Sequence, residues 1–235
     1  MVLFKPKCPN MNIGLPKEIP VMTLPGTVFF PHTLLPLHIF EPRYRRMLKE
    51  ILKEDRIFAV AALDRKAAAQ PDTNDPPCPV ATAGLIRMCQ TNTDGTSNLL
   101  LQGFTRIRID SIIQESPYRI IRVRPLTSSA GAEPDRLAAL RHELIRLAQM
   151  KTQMGGQVPE EVMQMLDHID DPDAMSDLAA YTLCDDPAFK QTLLESVEIK
   201  NRLLLIIRQM KADLILLRLS RKLQGDLDDD QIADN

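Results

Sequence analysis

Any chemistry in this chain must come from four histidines, four cysteines, some paired aspartates and a run of arginines. His32 and His38 have no third ligand near them in sequence, and His142 and His168 are remote, a pattern that argues against a metal centre. Cys8, Cys78, Cys89 and Cys184 are spread singly, without a C-x-x-C pair. That spacing disfavours a zinc ribbon or a dithiol redox site and suits a reducing cytoplasm. Asp170-Asp171-Pro172-Asp173 and Asp185-Asp186-Pro187 precede predicted helices, where acidic residues cap free N–H groups more readily than they act as general acids. No G-x-x-x-x-G-K-[ST], G-x-S-x-G or H-E-x-x-H occurs, and nine glycines supply few phosphate cradles. The residues therefore predict no catalytic residue, no cofactor and no metal.

Two groups of residues point to binding instead. Arg106, Arg108, Arg119, Arg122 and Arg124 lie on neighbouring strand candidates and would form a basic stripe if the strands pair. Barrels with basic faces bind RNA, which makes this the alternative reading. Asp110 and Glu115 interrupt the stripe, the net charge is −2, tryptophan is absent and aromatics are 4% of the chain, so a solvated face of mixed ion pairs is favoured. Val28-Phe29-Phe30, large apolar residues among prolines, could contact exposed apolar segments of another protein. The competing reading, slightly favoured, is that they plug a barrel.

The elements that must carry these residues change character along the chain. Strands are expected at 19–24, 35–40, 57–63, 80–91, 98–101, 106–113 and 118–125, with Pro25-Gly26 and Asp94-Gly95 as turns. Ile107 and Ile109 alternate with Arg106 and Arg108, which predicts a half-buried strand. Tyr44, Met47, Leu48, Ile51 and Leu52 fall on one face of a helix that opens at Glu41-Pro42. Many short strands with hairpin signals imply an antiparallel barrel or curled sheet over 1–126. After a Ser128–Ala132 linker come about five helices over 127–225, the last a long helix that Ser196 would cap. That helix is apolar on two faces, so it is either wrapped by its own bundle or offers a self-association surface. An acidic tail, 226–235, is expected to be disordered. No apolar stretch approaches a membrane span and no signal peptide is visible, so the expected compartment is the cytoplasm.

The stretch at 20–44, PVMTLPGTVFFPHTLLPLHIFEPRY, resembles the opening signature of the Lon protease N-terminal (substrate-binding) domain. Gly84–Met88 with Asp94-Gly95 and Leu99–Arg106 resembles that family's second hairpin. Asp177-Leu-Ala-Ala180, Lys190–Glu195 and Arg202-Leu203 resemble its helical half. The resemblance implies a PUA-like β-barrel with one inserted helix followed by a helical bundle. It also implies a non-enzymatic module that binds unfolded polypeptides or other proteins, standing alone without ATPase or peptidase domains, and working as an adaptor to a protease or chaperone. Within the motif, Pro25, Pro31 and Pro36 would stiffen connections, while Leu37, Phe40 and Tyr44 would anchor strand to helix. Glu41 would cap the helix or pair with Arg43 or a neighbouring strand arginine.

Overall fold

A computed structural model describes residues 14–70, 74–156 and 158–225; the acidic tail and Cys8 lie outside them. The elements run β1 (Glu18–Leu24), β2 (Leu34–Ile39), α1 (Pro42–Ile51), β3 (Ile57–Ala62), α2 (Arg65–Ala68), β4 (Val80–Thr91), β5 (Ser97–Gln114) and β6 (Ile120–Leu126). The helices α3 (Pro134–Gln153), α4 (Glu160–His168), α5 (Pro172–Leu183), α6 (Pro187–Glu195) and α7 (Ile199–Gly225) follow.

The strands form one sheet of order β2-β5-β4-β3-β1-β6, and β5 also pairs with β6. That extra pairing closes a ring of β5, β4, β3, β1 and β6, with β2 left as an outer strand. Closure removes edges from every strand of the ring. One pairing departs from the antiparallel expectation: β1 and β3 run parallel, with Val21 opposite Ala59 and Thr23 opposite Ala61. A parallel pair needs a crossover, and the loop, β2 and α1 between the two strands supply it. The two strands expected over 98–101 and 106–113 are one long strand, bent by register shifts at Ala83/Gly84 and Ile86/Met88 of its partner β4. A second inserted helix, α2, occupies what reads as a polar loop; the Asp64 carboxylate accepts from the N–H groups of Lys66 and Ala67 at its start.

Alternation along the ring strands separates two cores. Ile19, Val21, Ala59, Ala61, Ala81, Ala83, Ile107 and Ile121 face one another, and among the described residues no helix residue joins them, so they fill the ring. The alanines fit the narrow lumen of a small barrel. The other face of β3 and β4, with Phe58, Val60 and Ile86, packs under Tyr44, Met47, Leu48 and Ile51 of α1. A third core lies in the bundle, where Leu140, Leu144 and Leu147 of α3 meet Leu203, Ile206, Met210 and Leu214 of α7. Ser196 does not cap α7; it ends α6, and its carbonyl accepts from Arg202. Asp171 and Asp186 do cap, accepting from the first N–H groups of α5 and α6.

Candidate functional site

The charged residues that sequence alone places on a surface stripe are distributed differently. Arg106 is 2% exposed, because the bundle covers this part of β5. Its Nη1 donates to Asp177 Oδ2 at 2.9 Å, its Nη2 to Asp177 Oδ1, and its Nε to the Leu194 carbonyl at 3.1 Å. Arg202 of α7, also buried, donates from Nη1 to Asp177 Oδ1 at 2.8 Å, Asp173 Oδ1 at 2.7 Å and Ser176 Oγ at 2.8 Å. Two guanidiniums and two carboxylates thus form a neutral cluster that ties the barrel to α5, α6 and α7. Burial pushes the Asp177 carboxyl up, against the pull of both arginines. Burial also acts upward on Asp173, but its hydrogen bond and proximity to Arg202 leave it below the ordinary carboxylate range.

The remaining arginines do not assemble a free basic face. Arg119 Nη1 and Nη2 hold the Asp75 and Asn74 carbonyls at 2.5 Å, and its Nε holds Glu115 at 2.9 Å. Arg122 pairs with Glu18 at 2.7 Å and Arg124 with Asp110 at 3.1 Å. Arg108 is exposed and stands opposite Arg124 in the β5–β6 register. A phosphate backbone needs uncommitted cations, and four of the five arginines here are already bound to protein oxygens.

Val28, Phe29 and Phe30 are buried, at 3%, 1% and 0% exposure, which removes them as a contact surface in this conformation. Their loop is bolted to the sheet: Thr82 Oγ1 donates to the Phe29 carbonyl at 2.6 Å and Thr33 Oγ1 to the Phe30 carbonyl at 2.8 Å. His32, in the left-handed region at φ 62°, donates its N–H to the Gly103 carbonyl at 3.0 Å. A Cβ on Gly103 would stand 2.2 Å from the Phe30 oxygen, so only glycine lets the loop lie this close.

The motif residues divide by face. Tyr44 is buried under α1, Pro31 is buried in the loop, and Leu37 is partly buried. Glu41 makes no side-chain cap and pairs instead with Arg43 at 2.8 Å; Arg43 also reaches Asp75 and lies over the Tyr44 ring. Pro25 lies in the turn that Gly26 completes at φ 71°. Phe40 is not an anchor: it is 61% exposed, stacked on the His38 ring at 6.1 Å between centroids.

Phe40 belongs to an exposed apolar surface. Leu34 and Pro36 of β2 share its face, six and four residues before it with His38 between, at the even spacing that strand geometry requires. Pro36 stands opposite Leu100 of β5, and Leu100 stands opposite Met88 of β4. Met88 is 64% exposed and Leu34 49%. His38, bonded to Asn98 at 2.7 Å, and Arg87, bonded to Gln102, give this three-strand face a polar margin. A second apolar surface, Ile215, Leu216 and Leu219, lies near the end of α7. A cleft of about 400 Å³ between α6 and the β3–β4 connection is lined by Cys78, Gln191 and Glu195 among others, with burial and nearby Asp64 and Glu195 pushing the thiol up to about 11. Among the described residues, no three His, Cys, Asp or Glu side chains gather as metal ligands, and no helix is long and apolar enough to cross a membrane.

Comparison with known proteins places this architecture. Residues 18–212 match the family described as the ATP-dependent protease La (LON) substrate-binding domain. The Lon protease of Desulfosudis oleivorans is 26% identical over 96% of this chain, and that of Escherichia coli is 25% identical over 88%. The chain spans about a quarter of the length of these relatives, 28% and 26% respectively. The fold matches the N-terminal domain of Mycobacterium avium complex Lon protease at TM-score 0.64 and 18% identity, covering 83% of this chain and 98% of that one. It also matches a Lon N-terminal domain protein from Xanthomonas campestris at TM-score 0.58 and 19% identity, covering 83% and 97%. From the opening motif through the first half of α7, the chain belongs to the Lon substrate-binding domain family.

Proposed function

We propose that this protein binds non-native polypeptides through the apolar face formed by Leu34, Pro36, Phe40, Met88 and Leu100, and transforms none of them. The observation that carries the reading is an apolar row of Pro36, Leu100 and Met88 across three paired strands, flanked by the exposed Leu34 and, past His38, Phe40, inside the family match at 18–212; the exposed Ile215, Leu216 and Leu219 lie beyond it. Scattered single apolar residues on a surface need no explanation, but a contiguous patch with a polar margin marks an interaction site. An unfolded segment offers the complementary surface, since it exposes the side chains that a native partner buries. Presenting such segments to a protease or chaperone, as an adaptor would, is the role that fits a binding module of this family.

Fluorescence anisotropy with a labelled, permanently unfolded polypeptide tests the proposal. Half-covering a Phe, Leu or Met side chain is worth about 1 kcal/mol, so Phe40→Ser with Met88→Ser should weaken binding by about thirtyfold. Apolar binding should respond weakly to salt, whereas phosphate contacts would give a steep fall. No association with the unfolded polypeptide, or equal affinity in the double variant, removes this face from function.

A further inference from the structure

The hydrogen bonding of β5 shows which backbone groups β2 leaves unpaired. At the β4–β5 turn, the Asn92 N–H donates to the Thr96 carbonyl, which makes Asn92 and Thr96 a bonded pair. Bonded and non-bonded pairs alternate in an antiparallel ladder, so Gln90/Asn98 and Met88/Leu100 are also bonded. The backbone groups of Asn98 and Leu100 therefore turn toward β4, and those of Ser97, Leu99 and Leu101 toward β2. The other end of the ladder gives the same answer independently: the Gly103 N–H donates to the Thr33 carbonyl, placing Leu35/Leu101, Leu37/Leu99 and Ile39/Ser97 as bonded pairs. It follows that Leu34, Pro36 and His38 direct their backbone groups away from β5. Because β2 ends the strand order, no further strand among the described residues pairs on that side.

Proline sits on this outer side. At position 36 its missing N–H costs the β2–β5 ladder nothing, which is where a strand tolerates proline. The edge keeps two donors, at Leu34 and His38, and three acceptors, at Leu34, Pro36 and His38. The donors are about 13 Å apart at the usual strand rise. The side chains beside this edge are Leu34, Pro36, His38 and Phe40, the margin of the apolar face.

We propose that the outer edge of β2 takes an extended segment of the bound polypeptide as an added strand, an inference that rests on the apolar face being the binding site. Backbone pairing at Leu34 and His38 holds the segment in extended form, and its alternate side chains lie on the surface continuing Leu34, Pro36 and Leu100. Main-chain pairing reads no particular sequence, so the ligand class is any unpaired segment with apolar residues at alternate positions. The central proline deletes one donor, which keeps the pairing short and reversible and limits edge-to-edge self-association.

The test uses the full chain and a seven-residue peptide of alternating Val and Thr, with two further versions N-methylated on one or the other set of alternate amides. At saturation, amide exchange at Leu34 and His38 should slow by about tenfold, since each enters a hydrogen bond. One N-methylated version should lose about tenfold in affinity while the other binds nearly as well, because only one set of amides faces the edge. His38→Pro should weaken the unmodified peptide about fivefold. The N-methylated arms use the unaltered protein and stand even if that variant folds poorly. A peptide that binds with Leu34 and His38 exchange unchanged, and with both methylated versions equal, overturns strand addition but leaves the apolar face. A peptide series that does not bind, together with failure of the unfolded polypeptide to bind, overturns both.

Discussion

Replacing Asp177 by alanine should be among the most damaging single substitutions in this protein. Among the described residues, Asp177 is the carboxylate nearest Arg106; Asp173 is 3.7 Å away and the Leu194 carbonyl accepts from Arg106 at 3.1 Å. In Asp177→Ala that guanidinium, 2% exposed, is left charged with one neutral acceptor and a distant carboxylate. Arg202 fares better, keeping Asp173 at 2.7 Å, Ser176 at 2.8 Å and the Ser196 carbonyl. Breaking a buried pair by removing one member costs about 3–5 kcal/mol, a large part of the roughly 5–15 kcal/mol that holds a domain folded. Asp177→Asn keeps the shape and one acceptor and should lose about 2 kcal/mol. Removing the three fully buried ions together, with Arg106→Met, Asp177→Leu and Arg202→Met, should cost less than Asp177→Ala, because the one charge left without a partner, on Asp173, is 24% exposed and no fully buried charge is stranded. Urea denaturation with linear extrapolation reads all three. A loss below about 1 kcal/mol in Asp177→Ala, or a triple variant weaker than the single one, would refute the reasoning that charge compensation holds barrel to bundle.

Other consequences follow from individual contacts. Gly103→Ala puts a methyl 2.2 Å from the Phe30 carbonyl, which cannot yield cheaply; about 3 kcal/mol should be lost in thermal or urea unfolding. Burial pushes the Cys184 thiol up to about 12 from an ordinary 9.0, so its contribution is fully present below pH 9 and fades as pH rises toward 12. Cys184→Ala should therefore gain on the native chain by about 1.4 kcal/mol between about pH 7.5 and about pH 10 in parallel denaturation curves. Equal pH slopes would contradict it. In site-resolved alkylation of the folded protein, Cys89, which is half-buried, should react before Cys184 and Cys78, which are buried.

The sequence showed most elements and few of the faces. Helical spacing at Tyr44, Met47, Leu48 and Ile51 and strand alternation at Ile107 and Ile109 each follow from local periodicity. The parallel β1–β3 pairing does not, since strand order is decided by contacts between distant residues. Arg106 misled because alternation assumes one wet face, whereas the bundle buries both faces of β5 at that point. A signal was present nonetheless: Asp177 is followed by Leu178, Ala179 and Ala180 in an apolar helix, and an acid buried there demands cations. At 34–40, LLPLHIF, both alternating sets are largely apolar, so periodicity could not say which set faces α1. Leu35 and Ile39 went inward, and Phe40 went out with Leu34 and Pro36. The exposed face, the candidate site, thus became visible only when the register of three strands was known.

Where a captured polypeptide touches the protein is the measurement closest to the central claim. An unfolded polypeptide carrying photoreactive side chains, cross-linked to the native chain and mapped by mass spectrometry, should mark Leu34–Phe40, Met88 and Leu100. Cross-links concentrated at Ile215, Leu216 and Leu219 of α7, with the three-strand face unmarked, would contradict it.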